Sequence, residues 1–175
     1  MGATDVRSGH LHSSGFIYKN RARVKAIDVV GGNDGGILEV WDTDVAPVAA
    51  TYGRSGDTVT VTKSAHGLKT GDVIGISYEE ASGVIATPGN YAITVTGTDT
   101  FTLTDINSGT IATSTVCRYV RSTKNGNNAG WLATYHTSAS DIFFNGFSVP
   151  GDGMLAMIGV YVYANNLKSI NIYYG

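Results

Sequence analysis

The stretch TVTVTKSAHGLKTGDVIGI, from Thr58 to Ile76, decides the fold class of this chain. Threonine and valine alternate at its start, as in a strand with one buried face, and glycines then mark a turn and a second strand. The stretch GNYAITVTGTDTFTLTD, from Gly89 to Asp105, repeats this pattern of short apolar alternations between turn residues. Together the two stretches predict a small β-barrel or β-sandwich of about six short strands within residues 48–122.

The segments on either side of this block predict the two halves of a second β-domain. Phe16–Val30 predicts one long strand, Gly31–Gly36 a hairpin turn, and Ile37–Asp42 the returning strand. Four further strand patterns follow the block, at Trp131–His136, Ile142–Phe147, Leu155–Tyr163 and Leu167–Tyr174. Neither half has enough strands for a sandwich alone, so we expect them to fold together.

The predicted fold is therefore all-β, without an amphipathic helix. Residues 15–47 and 123–175 form a discontinuous β-sandwich, expected to be the attachment domain, and residues 48–122 form the inserted small β-barrel or sandwich. Residues 1–14 are small and polar and form an N-terminal arm, which would be mobile alone and which we expect neighbours to hold in place. Within Phe16–Val30 the apolar residues change parity near Ile27, which predicts a β-bulge or burial on both faces.

Composition excludes several classes of function. Among 175 residues only 15% are charged, against about 25% in typical domains, and the formal net charge is -2. This balance predicts no bulk attraction to nucleic acid or to an acidic membrane. The first residues lack the apolar stretch of a secretory signal, and no segment is apolar over the length of a membrane span.

Residues that could carry chemistry are few and scattered. His10 and His12 could bring two imidazoles near a metal ion, but no third ligand is evident and a flexible arm would hold them poorly. Asp42 and Asp44 lack the further oxygen ligands of a calcium site, so a solvated turn is expected there. His66 is expected to make structural hydrogen bonds. No nucleotide-binding, metalloprotease or nucleophile motif occurs, so we predict no catalytic residue, cofactor or metal.

Cys117 is the single cysteine, which excludes an internal disulfide. It lies in a strand pattern, where a small apolar packing residue is expected.

Two sets of residues are predicted to contact a partner. Four basic residues alternate along the first long strand pattern and would share one face: Lys19, Arg21, Arg23 and Lys25. Like charges so close imply either a solvated face or an acidic partner surface. In the Leu155–Tyr163 pattern both faces are apolar, and the second face carries Leu155, Met157, Tyr161 and Tyr163. A strand that is apolar on both faces is either central to a sandwich or covered by another subunit, and tyrosine and methionine on the second face favour a subunit interface.

The block TVTVT, HGLKTGDVIGI and GNYAITVTGTDTFTLTD resembles a small β-domain that recurs in virion proteins of tailed bacteriophages. That domain is similar in fold to the first catalytic-cysteine half-domain of ubiquitin-activating enzymes, and no ubiquitin chemistry follows from the likeness. The flanks, with GFIYKNRARVKAIDVVGGNDGGILEVWD and VPGDGMLAMIGVYVYANNLKSINIYYG, resemble a second kind of short virion protein. The resemblance implies a structural component of the particle, without an active site.

The expected function is that of a capsid decoration or cement protein, made in the host cytoplasm and located in the virion. Its expected partners are the major capsid protein or other virion subunits, and it is expected to form a homo-oligomer, for which a trimer is the guess. A tail, adaptor or fibre-associated protein of the same particle remains open. So does a module that binds a host surface or glycan through exposed aromatic residues. An enzyme is not expected, nor is a nucleic-acid or membrane partner.

Overall fold

A computed structural model describes residues 6–32, 36–79, 84–121, 123–124, 126–137 and 144–175. The first strands are β1 (Arg7–Leu11), β2 (Gly15–Tyr18), β3 (Ala22–Gly31) and β4 (Gly36–Asp42). They are followed by β5 (Val48–Thr62), β6 (Val73–Tyr78), β7 (Gly89–Ala92), β8 (Thr94–Val95), β9 (Thr100–Val120), β10 (Thr123–Lys124) and β11 (Asn127–Asn128). The last are β12 (Gly130–Thr137), β13 (Phe144–Ser148), β14 (Met154–Ala156), β15 (Val160–Asn165) and β16 (Leu167–Tyr174). Every regular element in these ranges is a strand, which confirms the all-β prediction.

The chain divides into two compact units. Met1–Ala46 and Leu132–Gly175 form one, here called the flanking unit, and Pro47–Trp131 form the other, the inserted unit. The chain returns to the flanking unit later than the predicted position at residue 123. The polar segment predicted as a linker instead forms the β10–β11 hairpin. Beyond it the chain packs closely on β6, since a Cβ on Gly75 would lie 2.5 Å from the Cα of Gly130.

The flanking unit consists of two antiparallel sheets that enclose one core. The strand order of the first sheet is β1-β16-β3-β13, with β14 also paired to β3, and that of the second is β12-β4-β15-β2. Side chains from both sheets are fully buried between them, among them Val24, Ile172, Val40 and Val162. This arrangement is the discontinuous β-sandwich that the flanks predict.

The glycine-rich segment after β3 does not form the predicted hairpin. β3 and β4 lie in different sheets, and each pairs along its length with a C-terminal strand, β3 with β16 and β4 with β15. Gly31 at the end of β3 lies opposite Leu167, and Ile37 near the start of β4 lies opposite Asn165. β3 and β4 therefore form one side of a long two-stranded ribbon, and β15 and β16 form the other side. The β3–β16 part of this ribbon lies in the first sheet and the β4–β15 part in the second. Residues 33–35 of the predicted turn lie outside the described residues.

The corner of this ribbon requires a glycine. The N–H of Gly32 donates a hydrogen bond to the carbonyl oxygen of Asn166 at 2.8 Å. A Cβ on Gly32 would lie 2.5 Å from that oxygen, closer than any side chain can approach. Asn166 itself adopts a φ of 54°, in the left-handed region that asparagine tolerates better than most residues. The two sides of the ribbon can pass together from one sheet to the other because Gly32 has no Cβ and Asn166 adopts a left-handed backbone conformation.

The long strand predicted at Phe16–Val30 is wrong in one respect. The chain bends between Tyr18 and Ala22, so β2 and β3 are separate strands in different sheets. The predicted bulge is confirmed: Ala26 lies opposite Tyr173 and Val24 opposite Tyr174, which leaves one extra residue in β3. This extra residue turns Ile27 toward the core although its sequence parity differs from that of Val24.

Part of the predicted N-terminal arm is an edge strand. β1 pairs with β16 from Arg7 opposite Tyr174 to Leu11 opposite Ile170. The side chain of Leu11 also packs against the core of the flanking unit. Main-chain hydrogen bonds to β16 therefore hold residues 7–11, a segment whose composition would leave it mobile if it were alone.

The inserted unit is a nearly closed, barrel-like sheet with the order β5-β9-β6-β7, in which β8 also pairs with β9. The predicted strands were too short, because β5 contains 15 residues and β9 contains 21. These two strands pair from Val48 opposite Tyr119 to Thr62 opposite Thr100. Two register shifts along this pair bend the strands, which allows β9 to pair with β6 at one end and β8 at the other.

The core of the inserted unit is built from the alternation that decided the fold class. Val59, Val61, Ile74, Ile76 and Phe101 are fully buried, while the threonines that flank the two valines of β5 are exposed. The single cysteine, Cys117, is fully buried in the same core, as predicted for a packing residue.

In the described part of the chain, no helix has the length and apolar character that crossing a membrane requires.

Candidate interaction surfaces

The eight predicted contact residues do not lie on two strand faces. Lys19 and Arg21 fall in the bend between β2 and β3, so the predicted basic strand face is reduced to Arg23 and Lys25. The Leu155–Tyr163 pattern is likewise divided, because β14 belongs to the first sheet and β15 to the second. The predicted second face of that pattern is therefore wrong. The chain bends twice where alternation alone indicates straight strands.

The structure brings some of the eight residues together in a new arrangement. Arg21, Arg23 and Leu155 border one open depression beside Gly175. Arg7 and Arg21 border a neighbouring depression with Tyr18 and Tyr174. Arg7, Arg21 and Arg23 are here called the arginine surface.

Main-chain pairing positions the arginine surface. Arg23 exchanges two hydrogen bonds with Gly175, at 2.8 and 3.1 Å, and lies opposite Leu155 of β14. Arg7 reaches the same place because β1 pairs with β16. Arg7 was missed in the sequence, since nothing local predicts that residues 7–11 form a strand. The two depressions thus bring three arginine residues to adjacent places, and arginine side chains suit the recognition of carboxylates.

Aromatic residues form a second group on the face of the β12-β4-β15-β2 sheet that points away from the core of the flanking unit. Val160 and Val162 of β15 are fully buried, so Tyr161 and Tyr163 point to the opposite face, where they are half-buried. The ring of Tyr161 meets that of Phe16 edge-on, with the centroids 4.9 Å apart. Phe16, Tyr161 and Tyr163 are here called the aromatic surface.

A basic residue accompanies the aromatic surface. The ammonium group of Lys19 lies over the Phe16 ring, 4.4 Å from its centroid, which is cation–π geometry. In the neighbouring strand β4, Trp41 lies opposite Tyr161 and Glu39 lies opposite Tyr163. Trp41 and Glu39 are almost completely buried, and Trp41 donates a hydrogen bond to the Glu39 carboxylate at 3.2 Å. The face around Trp41 and Glu39 is therefore covered, and the aromatic surface is limited to the half-buried rings of Phe16, Tyr161 and Tyr163, with Lys19 beside them.

Of the eight predicted residues, Lys25 and Met157 neither belong to these two surfaces nor border them. Lys25 donates from its ammonium group to the carbonyl oxygen of Asp152 at 2.6 Å, which ties β3 to the turn before β14. Met157 is half-buried at the crossing from β14 to β15, where its N–H donates to the Asp42 carboxylate at 2.7 Å. Both contacts are made within the flanking unit and connect parts of its fold.

Asp42 differs from the solvated turn residue that the sequence predicts. It is largely buried, and its carboxylate accepts hydrogen bonds from the N–H groups of Met157, Ile158 and Gly159, at 2.7, 2.7 and 3.1 Å. Both carboxylate oxygens are therefore directed at main-chain N–H groups. Asp42 fixes a chain crossing and is not arranged to bind calcium.

His66 makes the structural hydrogen bonds that were predicted. The N–H of Leu68 donates to His66 Nδ1 at 3.0 Å, so the other ring nitrogen carries the hydrogen and donates to the Gly97 carbonyl oxygen at 3.1 Å. The ring also meets Phe101 edge-on. These contacts connect the HGLKTGD turn to the turn before β9.

Shifted pKa values in the inserted unit come from its core and not from a cleft. Burial raises the pKa of Tyr52 to about 12 and raises that of Tyr78 further, and the two rings are 4.6 Å apart. Burial alone would raise the pKa of Asp105, but hydrogen bonds from Thr87 and Asn107 and the charge of Arg54 outweigh it and lower the pKa. These groups are part of the packed interior, so they are not arranged for acid–base catalysis.

The described residues contain little that could carry catalysis. A cavity of about 210 Å³ lies between the sheets of the flanking unit, with Ile27, Val29, Leu38 and Tyr135 in its wall. Tyr135 and His136 are the titratable residues among its described lining residues, and as neighbours on one strand they point to opposite faces, so these described residues provide no convergent acid–base pair. Within the described ranges, no three His, Cys, Asp or Glu residues are grouped to hold a metal ion.

Comparison with known proteins adds no assignment: no protein-family model matches the chain, and no curated protein matches it significantly.

Proposed function

We propose that this protein is a structural component of a tailed-bacteriophage particle, most specifically a capsid decoration or cement protein without enzymatic activity. In this proposal the flanking unit binds the shell and the inserted unit is displayed. The observation that carries it is the arginine surface, where β1, the β2–β3 bend and β3 bring Arg7, Arg21 and Arg23 to adjacent depressions. The resemblance of both chain regions to virion proteins supplies the class of partner.

The partner surface is expected to be acidic. Arg21 is exposed, and arginine binds carboxylates through two parallel hydrogen bonds. Each such contact at an exposed surface contributes little, about 1 kcal/mol or less. A shell offers many equivalent subunits, so an oligomer that engages several of them at once would bind far more tightly than one chain. We therefore propose a homo-oligomer, with a trimer as the working guess.

Particle binding tests this proposal. Purified particles that contain the protein would be imaged, and the density at the shell would be compared for the unaltered protein and Arg21→Glu. We expect Arg21→Glu to lower shell occupancy and to weaken binding further as salt rises, because exposed charges are screened. Lys69→Glu is the control: it makes the same change of charge at an exposed position of the inserted unit and should leave shell occupancy unchanged. Absence of the protein from the shell would refute the decoration role, and its presence on the tail would favour the adaptor or fibre role.

The aromatic surface favours a second candidate, a module that binds a host-surface glycan. Tyrosine and phenylalanine rings stack on the apolar faces of sugars, and Lys19 could pair with an acidic one. A glycan array would test this candidate, with Tyr163→Ala as the variant that should lose binding. Retention of glycan binding by Tyr163→Ala, or no binding by the unaltered protein, would remove it.

A further inference from the structure

Two histidines beside the edge of the first sheet direct their rings at each other. His10 lies in β1 and His12 just after it, so both side chains leave the same face of the chain. Their Nε2 atoms are 3.1 Å apart, and the rings meet edge-on with centroids 4.5 Å apart. Both residues are exposed, so solvent and ions reach the pair.

The second nitrogen of each ring is held by an acceptor from the C-terminal part of the chain. His10 Nδ1 lies 2.6 Å from the side-chain oxygen of Asn171, and His12 Nδ1 lies 3.0 Å from the carbonyl oxygen of Lys168. With the Asn171 amide oxygen at this position neither oxygen can donate a hydrogen, so the two contacts are hydrogen bonds when each Nδ1 carries one. In a neutral imidazole this leaves Nε2 with a lone pair. The two lone pairs are therefore brought close together, and a cation bound by both relieves their repulsion.

The spacing of the two Nε2 atoms suits a metal ion. Imidazole nitrogens bind Zn²⁺ at about 2.0–2.1 Å. For an ion at that distance from both Nε2 atoms, which are 3.1 Å apart, the Nε2–ion–Nε2 angle is about 100°. This value lies between the octahedral and tetrahedral angles. Ligating histidines also commonly donate their other ring N–H to a carbonyl or carboxylate oxygen, which fixes the tautomer.

We propose that His10 and His12 form a two-histidine chelate for one divalent transition-metal ion of the Zn²⁺, Ni²⁺ or Cu²⁺ class, with solvent in the remaining positions. The sequence disfavours this site because residues 1–14 predict a flexible arm. The pairing of β1 with β16 removes that objection, since it holds His10 opposite Asn171 and so preorganises the pair. The proposal is independent of the proposed virion role.

The first test is a titration of the untagged full chain with ZnCl₂, followed through the ring nitrogens by two-bond ¹H–¹⁵N correlation NMR. Before metal is added, we expect His10 and His12 to show the tautomer with hydrogen on Nδ1. Zinc should shift the Nε2 signals of these two residues and leave those of His66 and His136 in place. Absence of a saturable shift up to about 0.1 mM free zinc, or equal shifts at His136, would overturn the proposal.

Variants test the same site by calorimetry. His10→Gln and His12→Gln should each abolish the binding of one zinc ion per chain, whereas His136→Gln, a change at another exposed histidine, should leave it intact. A stoichiometry of one ion per two chains, or binding unaffected by His12→Gln, would contradict a site within one chain. The NMR titration of the unaltered chain decides the question if either histidine variant fails to fold.

Asn171 is proposed as a positioning residue for His10. Asn171→Leu removes the acceptor and should weaken zinc binding about tenfold, while Asn171→Asp should retain it. The same Asn171→Leu change should raise the population of the His10 tautomer with hydrogen on Nε2, a readout that a general loss of stability would not produce. Unchanged affinity and tautomer in Asn171→Leu would refute this role.

Discussion

At the residue scale, the carboxylate of Asp42 determines where the chain crosses between the two sheets of the flanking unit. It accepts three main-chain hydrogen bonds from residues 157–159, more than 110 positions along the chain. The N–H of Thr43 adds a fourth link, to the carbonyl oxygen of Gly159 at 3.0 Å. Without Asp42 these N–H groups would be buried without acceptors, which is costly.

We expect Asp42→Ala to lower the free energy of unfolding of the flanking unit by about 3 kcal/mol, since hydrogen bonds to a charged group contribute about 1.5–3 kcal/mol and their loss leaves buried donors. Asp42→Asn keeps one acceptor oxygen and should cost less. Urea denaturation measures both values. Asp152→Ala, at an exposed position of the same unit, is the control and should change the stability by less than about 0.5 kcal/mol. Equal stability of Asp42→Ala and the control would contradict this role.

Arg54 has a comparable role in the inserted unit. Its side chain is completely buried and forms an ion pair with Asp105 at 2.9 Å. It also donates to the carbonyl oxygens of Gly56, Val84 and Ile85, at 3.1, 3.1 and 2.7 Å. The pair thereby connects the bulged part of β5 to the segment before β7, and each charge has its partners.

Removal of one member of this pair should be strongly destabilising. We expect Asp105→Asn to lower the unfolding free energy of the inserted unit by about 3–5 kcal/mol, because it leaves a buried guanidinium group without its counter-charge. Replacement of both members, in Arg54→Met with Asp105→Leu, should cost less than the sum of the two single changes. Urea denaturation of Arg54→Met, Asp105→Leu and the double variant measures this coupling, and strictly additive losses would contradict it.

The same pair predicts an acid-sensitive inserted unit. The pKa of Asp105 in the folded protein lies below the ordinary value of 3.8, so folding is favoured by its ionised form. This contribution is fully present above the ordinary carboxyl range and is lost as pH falls through the lowered pKa. Between pH 7 and pH 3 the unaltered protein should lose more stability than Asp105→Asn in parallel urea titrations. Equal losses would show that other carboxylates account for the acid effect.

At the scale of elements, the long ribbon of β3–β4 and β15–β16 organises the flanking unit. It supplies the central strands of both sheets, and its corner at Gly32 and Asn166 sets the sandwich geometry. The glycine-rich segment 31–36 was predicted to be a turn between neighbouring strands. Both edges of β3 are occupied by other strands, so the chain instead passes to the second sheet.

We expect Gly32→Ala to destabilise the flanking unit by about 1–3 kcal/mol, the usual cost of forcing atoms into a packed site. The added Cβ would lie 2.5 Å from the Asn166 carbonyl oxygen and would displace the two crossing strands. Gly53→Ala is the matched control, because its Cβ would lie 3.5 Å from its nearest neighbour, an ordinary contact. Thermal denaturation compares the two variants, and an equal midpoint for both would argue against a tight corner.

At the scale of the whole molecule, each unit has its own core. The inserted unit buries Phe101, Ile74 and Ile76 among its own strands, and the flanking unit buries Leu38, Ile170 and other residues among its strands. A separate core is the requirement for a unit that folds alone.

We therefore expect a fragment of residues 47–131 to fold without the flanking unit. The measurements are amide dispersion in NMR and a single cooperative transition in urea. Phe101→Ala in the same fragment should lose about 3–5 kcal/mol, since it empties a fully buried site. A fragment that binds hydrophobic dyes and shows no cooperative transition would contradict the expectation.

The sequence by itself determined the features that depend on neighbouring residues. Alternation in Thr58–Thr62 correctly predicts a strand with one buried face, and the parity change near Ile27 correctly predicts the bulge. The all-β class and the structural hydrogen bonds of His66 also follow from local patterns. These succeed because side-chain direction in a strand is set by the local backbone.

Only the tertiary structure decided which strands share a sheet and which side chains meet. Leu11 and Ile170 lie opposite each other although the chain between them contains a whole folded unit, and no local signal encodes that pairing. The arginine surface, the Asp42 contacts and the His10–His12 pair all depend on partners this distant in sequence. The physical reason is that a strand presents hydrogen-bonding groups along both edges, and non-local burial selects the partner for each edge.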